Sequence, residues 1–379
     1  MSLADLALAA VGLALLFLAA ELAARLLLPR LGRYYVWPPH ARVHMTTDRE
    51  AVPELEPLVR VEINRDGERG GEPPDDWSDT YRVLVAGGSV VECWYLDQSS
   101  AWPQVIERCL NEPASLAKLG VSRAHVGSVG KSLVACEHIG RMLERIRPRY
   151  PRLDAIVLLV GASDLVDWLE KRTPPSIDRA DVPLSAVFGQ HPEPPFGWTP
   201  RTLALRRIVS SLRRRVRRRI TRRGNVGRSI ARARAARANA VTILRTVPDP
   251  TPMLDRFEKD LRELVALAKS MAGRVILARQ PWLEKEFTPE EERRLWMFGA
   301  GRVRDETVTD YYAHAVVWEL MRKIDERVVK VAQDLRVEQL DLRPVVPPTF
   351  ELWYDEMHHN ARGCERIGRA LARKIAGEG

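Results

Sequence analysis

The chain has 379 residues, of which 45% are hydrophobic and 29% charged, values that are ordinary for a soluble fold with a sizeable core. Its net charge of +9 is unevenly placed, because residues 201–237 contain 15 arginines and no Asp, Glu or Lys, which leaves the rest of the chain mildly acidic. This distribution argues against a general nucleic-acid binder, and four widely spaced cysteines without a CxxC pair indicate neither a zinc motif nor a dense disulfide framework.

The first predicted element is an apolar helix near the N-terminus. Residues 6–28 are apolar except for Glu21 and Arg25, and about twenty such residues are needed to cross a bilayer. Glu21 and Arg25 are four residues apart, so they can pair on one helix face. A cleaved signal peptide is the alternative, but Asp5 stands where a positive segment is expected. We predict a single membrane anchor within residues 1–30.

The charges that flank the apolar segment bear on the side of the membrane on which the following domain lies. Arg25, Arg30 and Arg33 come at the end of the apolar segment and after it, and by the positive-inside rule they favour a cytoplasmic domain. The next segment, residues 31–79, is rich in Pro, Trp and charge and has no long periodic pattern, so it is interpreted as a juxtamembrane connector. Within it, residues 63–70 are typical of a turn followed by an extended piece.

From residue 80 onward, apolar strands alternate with amphipathic helices. This alternation predicts an α/β fold with three α/β/α layers and a central parallel sheet, in which a site would lie beyond the carboxyl ends of the strands. The predicted strands are 83–85, 124–127, 154–160, 274–278 and 336–342, and the predicted helices are 102–110, 135–146, 253–270, 289–335 with breaks, and 361–375.

An insertion of about 174–250 interrupts this domain of residues 80–379. After a proline-rich loop, apolar residues recur at helical spacing between arginines from 205 to 220. Such a basic amphipathic helix can lie in the headgroup region of an anionic membrane. The alternative is a solvated helix that packs a narrow apolar stripe on the domain. An anionic membrane surface is therefore an expected partner of residues 201–237, and nucleic acid is not.

The segment Tyr81–Trp94 carries the first candidate catalytic residue. Its apolar strand stops at Gly87 and Gly88, and Ser89 follows at the point where the chain turns. Glycines allow a sharp turn and a close approach by another molecule. A serine on a strand-to-helix turn, with backbone N–H groups pointing outward, is a candidate nucleophile, although short Gly-Ser turns are also common without any catalytic role.

A second candidate lies near the C-terminus. Asp355 and His358 are three residues apart on a turn before the last predicted helix. This spacing lets the carboxylate accept a hydrogen bond from one imidazole nitrogen while the other nitrogen faces a nucleophile. A surface turn with a capping Asp is the structural alternative. His359 is a competing base, but it points elsewhere from the same turn.

Together these segments resemble the SGNH hydrolase superfamily, the GDSL-type esterases and lipases, and in particular its bacterial membrane-anchored members. Residues 87–89 match the first block, with Gly88 where the family often has an acidic residue. Residues 128–130 match the second block, 161–164 the third, and Asp355 with His358 the last. The resemblance runs from about residue 63 to the C-terminus, with the arginine-rich segment as an insertion. It implies the flavodoxin-like form of the three-layer α/β/α fold.

The resemblance also implies a catalytic triad. Ser89 would be the nucleophile, His358 its general base and Asp355 the carboxylate that orients the imidazole. No metal and no organic cofactor would be required.

The oxyanion hole would be formed by the N–H groups of Ser89 and Gly130 together with Ser163. The family has Asn where Ser163 and Ser128 stand in this chain. A hydroxyl is shorter than a side-chain amide but can still donate one hydrogen bond.

The expected function is that of a membrane-anchored serine esterase or deacylase. It would hydrolyse carboxylic esters, such as O-acyl groups on a small molecule, a carbohydrate or a lipid. An acyltransferase on the same scaffold is the second hypothesis, and a catalytically silent SGNH-like domain that binds a membrane surface is the third. The family analogy permits an extracytoplasmic position as well as a cytoplasmic one.

Overall fold

Ten strands are present in the computed structural model, which describes residues 2–27, 36–37, 39–176, 203–205, 221–223, 226–303 and 305–378. Numbered along the chain within these ranges, they are β1 (Arg42–Thr46), β2 (Leu58–Glu62), β3 (Thr80–Gly87), β4 (Arg123–Gly130), β5 (Leu153–Leu159), β6 (Thr221–Arg223), β7 (Thr242–Leu244), β8 (Ala272–Arg279), β9 (Asp310–Tyr312) and β10 (Glu338–Asp341).

The central sheet has five parallel strands in the order β10-β8-β5-β3-β4. The chain therefore passes from β3 to β4 on one side, and then crosses to β5 on the other side of β3. This is the flavodoxin-like strand order, whose topological switch point lies at the first strand of the sheet. The predicted three-layer α/β/α fold with a parallel sheet is confirmed, and the switch point lies beyond the carboxyl end of β3.

Helices cover both faces of this sheet, because successive side chains of a strand point to opposite faces. Leu84 and Ile156 belong to one buried cluster and Val83 and Val157 to the other. The first cluster contains the helices Cys136–Ile146, Ala162–Glu170, Thr251–Met271 and His314–Asp334, and the second contains Trp102–Leu110 and Ala361–Ile375.

The remaining described helices are short, apart from the N-terminal helix and one helix of the insertion. They are Ser89–Glu92, Pro113–Leu119 and Pro289–Glu292, and the insertion contributes Val226–Ala238. The predicted helix 289–335 with breaks thus corresponds to two helices with β9 between them. β9 pairs in parallel with β7 of the insertion, a pairing that the sequence did not indicate.

The connector is more ordered than the sequence analysis predicted. β1 and β2 form an antiparallel pair, and β6 from the insertion adds to β1 in parallel to complete a three-stranded sheet. Alternate residues of β1 and β2 are buried in the second core cluster. The segment was interpreted as irregular because each of its strands has only five residues, too few to give a clear periodic pattern.

The N-terminal helix is Leu3–Leu27. Residues Ala4–Leu26 form a 23-residue stretch long and apolar enough to cross a membrane, and almost all of it is exposed. Arg25 Nε donates to Glu21 Oε1 at 2.8 Å, as the spacing predicted. Most of the predicted basic amphipathic helix, residues 206–220, lies outside the described residues.

Candidate active site

Ser89 lies directly beyond the carboxyl end of β3. It is the first residue of the single-turn helix Ser89–Glu92, and Gly88 precedes it as the N-cap. As the first residue of a helix, Ser89 has a backbone N–H without an intrahelical partner. Its side chain is half-buried. The sequence prediction of a serine on a strand-to-helix turn agrees with this geometry.

His358 lies against Ser89 although 269 positions separate them in the sequence. The Nε2 atom of His358 and the Oγ atom of Ser89 are 2.7 Å apart. On the other side of the ring, Nδ1 lies 2.8 Å from Oδ2 and 2.9 Å from Oδ1 of Asp355. The three side chains therefore form one continuous hydrogen-bonded chain, and Nδ1 is the nitrogen placed to donate to the carboxylate.

Asp355 is completely buried, and the backbone of its own turn holds its carboxylate in place. Oδ1 accepts hydrogen bonds from the backbone N–H groups of Met357, at 2.8 Å, and His358, at 2.7 Å. The orientation of the carboxylate is thus set by the three-residue spacing that the sequence displays. A carboxylate held in this way stabilises an imidazolium on His358.

The electrostatic environment favours a proton on His358. Burial by itself lowers the pKa of the imidazole, but the charge of Asp355 and its hydrogen bond outweigh burial, so that the pKa is raised above its ordinary value. The ring keeps one-sixth of its side-chain surface exposed. A base of this kind can accept a proton from Ser89 and later return it to a leaving group.

His359 has a different environment from its neighbour. It is buried, and its ring lies against Trp353 with centroids 4.0 Å apart. Neither ring nitrogen has a hydrogen-bond partner among the described residues. Burial, together with the charge of His358, lowers the pKa of His359 to about 3. His359 is therefore a neutral packing residue, and of the two histidines only His358 reaches Ser89.

Ser163 lies close to the turn that carries Ser89. It is the second residue of the helix Ala162–Glu170, which begins just beyond β5. Its Oγ atom contacts the backbone of Gly88 so closely that a β-carbon on Gly88 would collide with it. Ser89 and Ser163 both line one small cleft, together with Gly88, Val134, Leu159 and Gln280.

Gly130 ends β4 and pairs with Gly87 in the register of the sheet. A β-carbon on Gly130 would collide with the backbone of Val91 and Glu92, so this glycine packs against the helix that carries the nucleophile. Within the described residues, Gly130 is close to the Ser89 turn but does not line the cleft that Ser89 and Ser163 share.

Ser128, the other position at which the family has Asn, is buried. Its hydroxyl has no hydrogen-bond partner within the described part of the chain. Ser128 lies in β4 and is not one of the residues that line the cleft.

Arg69 supports the turn from behind, a role that sequence reasoning missed. Its guanidinium is buried and donates to the carbonyl groups of Glu92 at 2.7 Å, Cys93 at 2.5 Å and Leu96 at 2.7 Å. These carbonyls lie at the end of the helix that carries Ser89 and just after it. The available signal was an arginine between two turn glycines in residues 63–70, a segment that the sequence analysis interprets as a turn followed by an extended piece.

Glu356, between Asp355 and His358, is also completely buried. Its Oε1 accepts from the N–H of Met297 at 3.0 Å, and its Oε2 from that of Trp296 at 3.4 Å. Sequence reasoning passed over this residue because one acidic residue beside another gives no periodic signal.

No group of three or more His, Cys, Asp or Glu side chains in the described ranges is arranged to hold a metal ion. The described cysteines are buried and form no disulfide bond within the described ranges. The described groups at the site are a serine, an imidazole, a carboxylate and nearby hydrogen-bond donors.

Neither the protein-family models nor the curated proteins give a match to this sequence. Several solved structures are similar to it in fold. A member of the lipolytic G-D-S-L family from Veillonella parvula DSM 2008 is 10% identical, with a TM-score of 0.38, over 77% of this chain and 96% of the other. An acetylxylan esterase from Geobacillus stearothermophilus is 13% identical, with a TM-score of 0.40, over 78% and 94%.

A carbohydrate acetylesterase family member from Sinorhizobium meliloti is also 13% identical, with a TM-score of 0.40, over 78% of this chain and 99% of the other. The first of these structures carries the name of the family that the sequence motifs resemble. These are likenesses of fold at low identity, and the chemistry of this chain rests on its own residues.

Proposed function

We propose that this protein is a serine esterase or deacylase that hydrolyses carboxylic esters through Ser89, His358 and Asp355. The observation that carries the proposal is the 2.7 Å contact between Ser89 Oγ and His358 Nε2, with Nδ1 of the same ring on a buried carboxylate. A serine that has only a structural role in a turn does not need a neighbouring base whose tautomer is fixed by a carboxylate. Acyl transfer requires such a base.

In the proposed reaction, Ser89 Oγ attacks the ester carbonyl carbon while His358 Nε2 takes the hydroxyl proton. The tetrahedral intermediate then collapses, the bond to the alcohol oxygen breaks, and His358 returns the proton to the leaving alcohol. A water molecule attacks the acyl-serine in the same way, which releases the carboxylic acid and restores Ser89. Asp355 remains ionised and stabilises the imidazolium.

The negative charge on the intermediate needs hydrogen-bond donors that are already in place. We assign this role to the N–H groups of Ser89 and Gly130 and to the hydroxyl of Ser163. The shared cleft supports Ser163 and Ser89 as partners in this role. Gly130 is included in this assignment because it packs against the helix that carries Ser89.

The apolar helix Ala4–Leu26 would hold the catalytic domain at a membrane. The substrate would then be an ester that reaches the membrane surface, such as an O-acylated glycan or a lipid. Transfer of the acyl group to a sugar hydroxyl instead of water uses the same residues, because only the nucleophile in the second step changes.

The direct test is covalent labelling of the full-length protein, in detergent, by a fluorophosphonate probe. We expect wild type to be labelled on the peptide that contains Ser89, as identified by mass spectrometry, and Ser89→Ala to show no labelling. Ser78→Ala, at an exposed serine outside the site, is the matched control and retains full labelling. If folded wild type is not labelled, the protein is not an active serine esterase and the silent binding module becomes the better hypothesis.

If labelling succeeds, the products are analysed with and without an acceptor alcohol. Free carboxylic acid in both reactions indicates a hydrolase, and a new ester formed only with the acceptor indicates an acyltransferase.

A further inference from the structure

The helix Val226–Ala238 at the end of the arginine-rich segment places two of its arginines against the catalytic domain. Arg234 and Arg237 are three residues apart, so they share one face of the helix. Both side chains are half-buried, whereas Arg228 and Arg232 of the same helix are exposed. The inward face of this helix therefore combines the buried apolar residues Val226 and Ile230 with the guanidinium groups of Arg234 and Arg237, and apolar packing alone does not require the arginines.

Arg234 contacts the segment just before the catalytic turn. Its Nε donates to the carbonyl of Arg294 at 2.8 Å, and its Nη2 to the carbonyl of Tyr354 at 3.4 Å. Its guanidinium also lies over the ring of Trp296, 5.5 Å from the centroid. The ring of Tyr354 stacks on that of His358 with centroids 5.6 Å apart, so Arg234 is connected to the proposed base through one residue.

Arg237 contacts two residues that also contact Glu356 of the same turn. Its Nη1 donates to the carbonyl of Met297 at 2.6 Å, and its Nη2 lies 3.1 Å from Nε2 of His314. Glu356 contacts the same two residues, because its Oε1 accepts from Met297 N and lies 3.5 Å from His314 Nε2. Arg237 and Glu356 are thus connected through the backbone of Met297, and His314 Nε2 lies close to both side chains.

The position of Arg237 offsets part of the electrostatic cost of burying the carboxylate of Glu356. Glu356 has no exposed surface, and a buried carboxylate is costly unless positive charge and hydrogen-bond donors compensate for it. Burial raises the pKa of Glu356, but the hydrogen bond to His314 and the charges of Arg237 and His314 outweigh burial and lower it overall. The charge of Arg237 therefore helps to keep Glu356 ionised and in place.

We propose that Arg234 and Arg237 are positioning residues that fix the turn bearing Asp355 and His358, so that the insertion completes the active site of the catalytic domain. This inference rests on the proposed esterase function. The two arginines do not touch the reacting atoms. They act through Tyr354 and Glu356, which flank Asp355 in the sequence.

The test compares Arg237→Gln and Arg234→Gln with Arg232→Gln in the full-length protein in detergent. Arg232→Gln removes an exposed arginine from the same helix and is the matched control. We expect Arg237→Gln to lower kcat for a short aryl ester by about tenfold or more with KM within about twofold, because a small displacement of the catalytic turn affects chemistry more than binding. Arg232→Gln retains the wild-type values, and Arg237→Lys recovers part of kcat.

Two further readouts keep the inference testable. If Arg237→Gln does not fold, as judged by thermal melting, Arg234→Gln provides the same comparison through Tyr354. If wild type is not labelled at Ser89, an NMR signal reports the geometry of the turn without any need for activity. The signal is the far-downfield proton of the His358–Asp355 hydrogen bond, and it is assigned by its loss in His358→Ala. Loss of that proton in Arg237→Gln but not in Arg232→Gln supports positioning, and its retention in both overturns it. Wild-type kcat in both Arg237→Gln and Arg234→Gln also overturns it.

Discussion

The Oγ atom of Ser163 occupies the space that a β-carbon on Gly88 would need. These are two positions at which the chain departs from the SGNH pattern, which commonly has an acidic residue at the first and Asn at the second. Because Gly88 has no side chain, the short side chain of Ser163 can lie directly against the backbone that leads into Ser89. The two departures are therefore linked through one contact at the candidate oxyanion hole.

We expect Ser163→Ala to lower kcat by about 100-fold with little change in KM, because loss of one oxyanion donor removes an interaction made mainly in the transition state. Steady-state kinetics with a short aryl ester measure this effect. A kcat within about twofold of wild type would mean that Ser163 is not an oxyanion donor.

Gly88→Ala is the companion variant for Ser163→Ala. Its methyl group would force the Ser163 hydroxyl to rotate away, so activity falls in the wild-type background. In the Ser163→Ala background the same change has little further effect, because the hydroxyl is already absent. Additive losses in the double variant would show that the contact between the two residues is not what matters.

The two adjacent histidines differ sharply in their expected roles. His358→Ala should abolish reaction with a fluorophosphonate, because Ser89 loses the base that contacts its hydroxyl. His359→Ala should retain most of that reactivity and lose thermal stability instead, because a buried ring packed on Trp353 is replaced by a cavity. Labelling rates and thermal melts of both variants are the measurements. The opposite pattern would exchange the roles of the two residues.

The pH dependence of kcat/KM should follow His358. The base must be neutral to accept a proton, so activity rises as pH increases through the pKa of His358. Burial lowers the pKa of His358, but the charge of Asp355 and its hydrogen bond raise it by more. The pKa therefore lies above its ordinary value of 6.5. The acidic limb should therefore lie above pH 6.5.

In Asp355→Asn the raising charge is removed, so the limb should move to lower pH, and kcat should fall by about four orders of magnitude. A wild-type limb below pH 6.5 would contradict the proposed contact between the imidazole and an ionised carboxylate.

Arg69→Met should destabilise the protein by about 3 kcal/mol or more, because it leaves the buried carbonyls of Glu92, Cys93 and Leu96 without their donor. Urea denaturation measures the loss of unfolding free energy. Arg42→Met is the matched control: its partly exposed pair with Glu62 should be worth less than about 1 kcal/mol. Equal effects of the two substitutions would refute the role of Arg69 in holding the nucleophile turn.

Membrane association should depend on two separate parts of the chain. Glu21 of the apolar helix accepts hydrogen bonds from the N–H groups of Ala204, at 2.8 Å, and Leu205, at 3.0 Å, which lie at the start of the arginine-rich segment. Deletion of residues 2–30 should abolish binding to neutral phosphatidylcholine vesicles and leave weaker, salt-sensitive binding to vesicles that contain phosphatidylglycerol.

Replacement of the arginines between 206 and 223 by glutamine in that deletion variant should then remove the remaining binding, while Arg234 and Arg237 stay in place. Vesicle flotation measures both steps. Unchanged binding after the replacement would rule out an electrostatic membrane role for this segment.

Most of the catalytic domain was predictable from the sequence because its signals are local. Apolar segments of β-branched residues predicted the central strands, and helical periodicity predicted the helices Trp102–Leu110 and Ala361–Ile375 at the bounds that the structure has. The three-residue spacing of Asp355 and His358 determined their mutual geometry, because it is set within one turn. The short strands β1, β2, β7 and β9 were missed, because strands of three to five residues have too little pattern of their own.

Only the tertiary structure decided which distant residues meet. The strand order brings the ends of β3, β4 and β5 together, and with them Ser89, Gly130 and Ser163. It also decided which groups Arg234, Arg237 and Glu356 contact. A sequence shows that an arginine is charged and which helix face it occupies, but not whether that face meets a membrane or the backbone carbonyls of a catalytic turn. Burial and partner geometry are set by the packing of the whole chain, and they determine what a buried charge contributes.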